Sequence, residues 1–139
     1  MYEYKFKLDR VVDGDTIDVV IDLGFSILHK CRVRLLGIDT PESRTRDLDE
    51  KARGKLAKDF LSFCLASSDE HVIKTSVDGK GMFGRVLGTI YCDESNINQL
   101  MIDKHHAVEY RGQSKDEIAA EHLANRQILI DQEIYIPNK

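Results

Sequence analysis

Only two prolines, Pro41 and Pro137, occur in the 139 residues. No repeat, low-complexity tract or Pro/Gly-rich linker divides them, so one domain covering 1–139 is expected. The apolar runs are no longer than a strand, which excludes a bilayer-spanning helix and leaves no expectation of a membrane partner. The first seven residues, Met1-Tyr2-Glu3-Tyr4-Lys5-Phe6-Lys7, alternate in character and hold no apolar leader core, so a cytoplasmic location is expected. Cysteine is scarce too. Cys31, Cys64 and Cys92 are odd in number and have no CxxC or Cys/His spacing, which argues against a thiolate metal site and for small buried apolar side chains in a reducing compartment. The five histidines make no HxxxH or HExxH arrangement; His105 and His106 read as surface residues closing a helix. There is also no basic excess. A formal charge of −4 counts against a general nucleic-acid coating protein but not against an enzyme with a locally cationic, metal-assisted site. Weak, salt-sensitive polymer binding would be the consequence.

What is present reads first as strands. Tyr4 to Val12 sets Tyr4, Phe6 and Leu8 against Lys5, Lys7 and Asp9. Asp13-Gly14 signals a turn, and Asp15 to Leu23 follows with Ile17, Val19, Ile21 and Leu23 on one face. In Ser26 to Leu36, Ile27, Cys31, Val33 and Leu35 share one face while Lys30, Arg32 and Arg34 share the other. Ser43 to Asp47 is a polar loop. From Leu48 to Ser67 the apolar residues Ala52, Leu56, Phe60, Phe63 and Cys64 recur at helical spacing, with Gly54 a weak point. His71 to Val77, a Gly79-Lys80-Gly81 hairpin tip and Gly84 to Cys92 give two more strands. A short helix over Asn96 to His106 turns Ile97, Leu100 and Met101 inward. Ser114-Lys115-Asp116-Glu117 is a capping box opening a helix to about Asp131, with Ala120, Leu123, Ala124 and Ile128 as its apolar stripe. The fold class is α+β, mainly β: a small Greek-key barrel of the oligonucleotide-binding type, five strands with a helix between the third and fourth.

Two acidic runs, Asp13-Gly14-Asp15-Thr16 and Ile38-Asp39-Thr40-Pro41-Glu42, bracket Arg32 and Arg34. Carboxylate oxygens suit a hard divalent cation, and guanidinium forks suit a phosphate. Together they suggest metal-assisted attack on a phosphodiester. Asp15 shares strand parity with Ile17, Val19 and Ile21, so it lies at the edge of the core-facing stripe, where an ionised carboxylate needs a partner. A turn aspartate bonding its own backbone is the plainer alternative. Asp39, Thr40 and Glu42 arrive where the third strand ends; a second acid and a backbone carbonyl would complete a partial oxygen shell open to water. At least one of Arg32 and Arg34 is expected to be plain surface charge, so the phosphate reading needs a further cation, for which Arg85 at the start of a strand is a candidate. Gly79 to Gly84 fits GxGxxG literally, but it precedes a strand with no βαβ unit, so a glycine-rich hairpin is the better reading. Asp13-Gly14-Asp15 lacks the glycine and glutamate spacing of a calcium-binding helix-loop-helix.

Asp-Gly-Asp-Thr, then Arg34-Leu35-Leu36-Gly37-Ile38-Asp39-Thr40-Pro41-Glu42, then Phe83-Gly84-Arg85-Val86-Leu87-Gly88-Thr89-Ile90-Tyr91 resemble the staphylococcal nuclease (thermonuclease) family, over about Val11 to Ile128. The resemblance implies an OB-type five-stranded barrel with three helices. It implies a hydrolase of the nuclease or endonuclease type that cuts DNA and/or RNA with calcium and leaves 3′-phosphate ends; exo and endo action both stay open, and a monomer is expected. It implies Asp15 and Asp39 as metal-ligating carboxylates, Thr40 as a carbonyl ligand, Glu42 as the group that positions or deprotonates the attacking water, and Arg34 and Arg85 as the phosphate clamp. Tyr110 matches a base-stacking tyrosine, and Phe83 stands in the substrate pocket where an aromatic hydroxyl is common. Met82 replaces a usual basic residue, and Val20 to Val33 is longer than usual. These departures weaken the grip on a terminal phosphate and leave the chemical centre intact. Manganese or magnesium could fill a similar oxygen shell. An intracellular relative of bacterial or viral origin fits the missing leader. The competing readings are a catalytically silent module binding single strands or protein, and a calcium-binding structural domain without a nucleic-acid substrate.

Overall fold

Alternation along the first three strands is what builds the core. In the computed structural model, which describes residues 2–76 and 85–137 and every side chain among them but that of Arg85, β1 (Tyr2–Asp13), β2 (Thr16–Asp22) and β3 (Leu28–Leu35) form an antiparallel meander. Phe6, Ile17, Val19, Ile21, Val33 and Leu35 point inward and are all buried. Each such side chain contributes about 1.5–3 kcal/mol by leaving water. The chain continues through β4 (Ile38–Asp39), α1 (Leu48–Ala66), β5 (His71–Ser76), β6 (Arg85–Cys92), β7 (Ser95–Asn96), α2 (Ile97–Asp103), β8 (Val108–Glu109) and α3 (Lys115–Asp131). The large sheet runs β3-β2-β1-β5-β6-β7, and a parallel pairing of β3 with β6, Arg32↔Arg85 through Leu35↔Gly88, closes five of its strands into a barrel. Irregularities between Leu8 and Arg10 and between Val11 and Asp13 shift the β1–β2 register, the device by which a long strand bends round a small barrel. This is the expected five-stranded barrel with three helices.

Buried Asn98 seals the seam where β3 and β6 part. Its side chain donates to the carbonyls of Leu36 (2.9 Å) and Gly88 (3.1 Å) and accepts from the Ile90 N–H (3.1 Å). A two-stranded ribbon then carries the acidic segment past the barrel mouth: Ile38 pairs with Glu109 and Asp39 with Val108.

Several expected faces are corrected. Leu23 and Ile27 continue the alternation of β2 and β3, yet both are exposed. The hairpin runs beyond the Phe6↔Ile21 pair, the last at which β1 covers β2. On α1 the buried residues are Arg53, Gly54, Ala57, Leu61 and Leu65, one position round from the apolar stripe, and Phe63 lies in solvent. On α3 only Leu129 is buried, while Leu123, Ala120 and Ala124 face outward. Its inward side is polar instead: Asn125 donates to the Ala107 carbonyl (3.1 Å) and Arg126 to Asp49 (3.0 Å). Asp49 also takes Arg53 (3.1 Å) and the Tyr135 hydroxyl. Burial works to raise the Asp49 pKa, but the hydrogen bonds from Tyr135, Arg126 and Arg53 outweigh it and hold the carboxyl below its usual range. His106 is not on the surface. It is buried and stacked on Phe60 with ring centroids 4.8 Å apart, and burial, aided by nearby His105, pushes its imidazole down to about 4.

Cys92 is buried as expected, Cys31 and Cys64 are only half-buried, and all three are free thiols whose pKa burial raises. The Gly79-Lys80-Gly81 tip and Val77 lie outside the described residues. No described helix is long and apolar enough to cross a membrane.

Candidate active site

The two acidic runs meet because two turns press against α1. Gly14, between β1 and β2, is buried with no room for a side chain: a Cβ there would sit 2.8 Å from Ala57 Cβ and 3.1 Å from Thr40 Cγ2. The neighbouring Asp15 carbonyl accepts from the Leu35 N–H at 2.8 Å, tying the turn to the end of β3. Asp15 is thereby aimed at the second acidic run. Its side chain is 14% exposed and accepts from the Thr16 hydroxyl (3.0 Å) and the Thr40 N–H (3.3 Å).

Arg34 stands opposite Thr16 in the β2–β3 register and joins the two acids. One terminal nitrogen is 3.3 Å from Asp15 Oδ2 and also donates to the Leu35 carbonyl at 3.1 Å; the other is 3.8 Å from Asp39 Oδ1. The remaining Asp39 oxygen, Oδ2, is 2.8 Å from His122 Nε2 on α3.

Glu42 is set by α1. A Cβ on Gly54 would lie 2.6 Å from the Glu42 carbonyl carbon and oxygen and 2.7 Å from the Pro41 carbonyl, so a glycine lets the helix and this turn touch backbone to backbone. The Glu42 N–H donates to Glu50 at 3.0 Å, and Ser43 donates to Asp13. Glu42 itself is exposed, at the rim of a cleft of about 380 Å³ lined by Asp13, Asp15, Arg34, Asp39, Thr40, Pro41, Glu42 and Arg44. A second cleft of about 660 Å³ shares residues Asp39 to Glu42 and runs on to Tyr110 and α3. Tyr110 is half-exposed there, held by its N–H on the Gly37 carbonyl at 2.8 Å.

Five of the eight residues singled out from the sequence, Asp15, Arg34, Asp39, Thr40 and Glu42, therefore line one cleft, and Tyr110 lies in the adjoining one. Arg85 begins β6 and its backbone pairs with Arg32, but its side chain lies outside the described part of the structure, as does all of Phe83. Arg32 is the surface arginine. It pairs with Asp18 at 2.8 Å beside Arg10, and the Arg32 hydrogen bond holds the Asp18 carboxyl below its ordinary range. Sequence reasoning gave no role to Asp13, Arg44 or His122. Asp13 was visible in the Asp-Gly-Asp run; nothing local marks Arg44 or His122.

Among the described residues, no three His, Cys, Asp or Glu side chains form a ready metal cage. The donor set is nonetheless all oxygen, with Asp15 and Asp39 drawn to one guanidinium and buried Thr40 next in the chain. Such a set fits a hard cation that completes its shell with water and substrate oxygens, and not a thiophilic ion.

The staphylococcal nuclease homologue family matches residues 32–128. The endonuclease YhcR of Bacillus subtilis is 33% identical over 78% of the chain and 9% of its own length. The micrococcal nuclease of Shigella flexneri is 30% identical over 78% of the chain and 60% of its own length. The thermonuclease of Staphylococcus hyicus is 29% identical over 70% and 54%. The chain thus spans less than two thirds of each of these relatives. With the acids, Arg34 and the closed barrel in the places described, and the family match covering most of its length, the chain belongs to the staphylococcal nuclease family.

Proposed function

We propose that this domain is a calcium-dependent nuclease that hydrolyses phosphodiester bonds in DNA or RNA and leaves 3′-phosphate ends. One observation carries the reading: four carboxylates and two guanidiniums share a single cleft, with Asp15 and Asp39 both on Arg34. The described lining is net negative, so a polyanion enters only if a cation joins it; a site for simple strand binding would have no reason to gather acids. The names of its relatives, among them an endonuclease and a micrococcal nuclease, point the same way.

Asp15, Asp39 and the Thr40 carbonyl would hold the ion, with magnesium or manganese as possible replacements for calcium. When bound, it supplies Lewis-acid polarisation of a phosphoryl oxygen. Arg34 donates to a non-bridging oxygen as that oxygen gains charge. Glu42, on a turn fixed against α1, holds the water and accepts its proton as the water oxygen bonds to phosphorus. The bond from phosphorus to the 5′-oxygen breaks, and that oxygen takes a proton from solvent. Tyr110 offers an aromatic face to a neighbouring base. Arg85 is assigned to the phosphate clamp and Phe83 to the substrate pocket on the resemblance alone.

Digestion of single-stranded DNA with calcium and with chelator tests the proposal. Cleavage lost on chelation, with 3′-phosphate termini on the products, is the expected result. Binding without cleavage under both conditions would overturn it in favour of a silent module.

A further inference from the structure

His122 comes from α3, 83 residues along the chain from Asp39, and its Nε2 lies 2.8 Å from Asp39 Oδ2. An ionised carboxylate only accepts, so Nε2 carries the proton and donates it. The imidazole is the more deeply seated partner, 11% exposed against 31% for Asp39. The oxygen left over, Oδ1, is the one nearer Arg34.

We propose that His122 is a positioning residue for Asp39: by occupying Oδ2 it fixes the carboxylate rotamer and presents Oδ1 to the cleft. The inference rests on the reading of Asp39 as a metal ligand. The alternative use of this bond is to dock α3, but α3 already has two polar anchors that do not involve the Asp39 carboxylate, namely Asn125 on the Ala107 carbonyl and Arg126 on Asp49, together with buried Leu129. The His122 bond is thus the one α3 contact among these that acts on a residue of the cleft. A carboxylate whose second oxygen is already bonded loses less freedom when an ion binds, so outer partners of this kind typically change metal affinity by about 10–100-fold.

Calcium affinity is read without nucleic acid, from the rise in thermal midpoint across a calcium titration, for the wild type and for His122→Phe, His122→Gln and Asn125→Ala. Phe keeps the ring volume and removes the donor; Gln restores an N–H at similar reach; Asn125→Ala removes an α3 anchor while leaving the bond to the Asp39 carboxylate in place. The expected result is calcium affinity at least ~10-fold weaker in His122→Phe, mostly recovered in His122→Gln and unchanged in Asn125→Ala. Should His122→Phe not fold, His122→Asn, whose amide falls short of Asp39, is expected to weaken calcium in the same way. Wild-type calcium affinity in the folded Phe or Asn variant overturns the positioning role alone. Equal weakening in Asn125→Ala also overturns it, since helix docking would then be the cause. A wild type whose midpoint does not respond to calcium overturns the metal reading itself, and this inference with it.

Discussion

Replacing Gly54 by Ala sets a helix preference against a close contact, and the structure decides the sign. Gly54 lies inside α1 (Leu48–Ala66), where alanine is intrinsically better by about 1 kcal/mol. The added Cβ would lie 2.6 Å from the Glu42 carbonyl carbon and oxygen. Ordinary contact requires one side to retreat by about 0.8 Å. The atoms in the way are backbone, in a turn pinned by buried Thr40 and Pro41 and by the Glu42 N–H on Glu50. Overpacking of this kind costs about 1–3 kcal/mol, so the gain in propensity is cancelled or exceeded. The effect on turnover is larger than that on stability. If Glu42 orients the attacking water as proposed, moving it by nearly 1 Å takes its carboxylate off that water, a misplacement that can cost about 10²-fold. Cleavage rates on single-stranded DNA, taken with thermal melts, measure both effects. The expected variant is folded, with a midpoint equal to or a few degrees below wild type, and turns over about ten to a hundred times more slowly. Wild-type turnover with a raised midpoint would refute the reasoning, because the turn would then not depend on its contact with the helix.

Arg34→Ala and Glu42→Gln should each cut turnover steeply, about 10²–10³-fold for Arg34, with the circular dichroism spectrum unchanged; a wild-type rate in either variant removes that residue from its role. Asp49→Asn strips the shared counter-charge from buried Arg53 and from Arg126, and should cost about 3 kcal/mol, the low end for a buried pair because Asp49 is one third exposed. Since the Asp49 pKa is depressed, this contribution is present above about pH 4 and fades as pH falls through its lower folded value, so urea titrations of wild type and variant should converge in strong acid. His106 acts in the same direction but in a higher window. Its folded pKa of about 4 lies below the ordinary 6.5, so the unfolded chain takes up a proton first and stability falls as pH drops between those values, by about 3 kcal/mol in all. His106→Phe, which keeps the stack on Phe60, should flatten that part of the stability profile; an unchanged slope would place the titration elsewhere.

The barrel was legible wherever burial follows side-chain chemistry. Phe6, Ile17, Val19, Ile21, Val33 and Leu35 alternate as half-buried strands do, and Ser114 caps α3 as the capping box predicts, accepting from the Glu117 N–H at 3.2 Å. The acids were legible because a partly buried carboxylate at a turn is costly unless it meets something, whereas alternation could not tell Arg34 from surface Arg32 and only the motif around it did. The short α2 face was legible, with Ile97 and Met101 buried as expected, but the faces of α1 and α3 were not, for a reason that α3 makes plain. It turns His122, Asn125 and Arg126 inward, each satisfied by a partner more than fifteen residues away in sequence, and leaves Leu123 in solvent. Hydrophobic periodicity registers apolar stripes and has no sight of polar ones whose bonds close only in three dimensions. Gly54 misled for a related reason: it weakens α1 locally, and its use, contact with the Pro41–Glu42 turn, is a tertiary one.

The central claim is that a negatively lined cleft becomes a phosphate site only when a cation joins Asp15 and Asp39. Linkage makes this measurable without catalysis, since an ion that recruits the strand must be recruited by it in turn. The direct measurement is the affinity of cleavage-deficient Glu42→Gln for a short single-stranded oligonucleotide, with calcium and with chelator at fixed ionic strength. The account predicts binding at least ~10-fold tighter with calcium, and calcium bound more tightly by the same factor once the oligonucleotide is present. Equal oligonucleotide affinity in both conditions would contradict it.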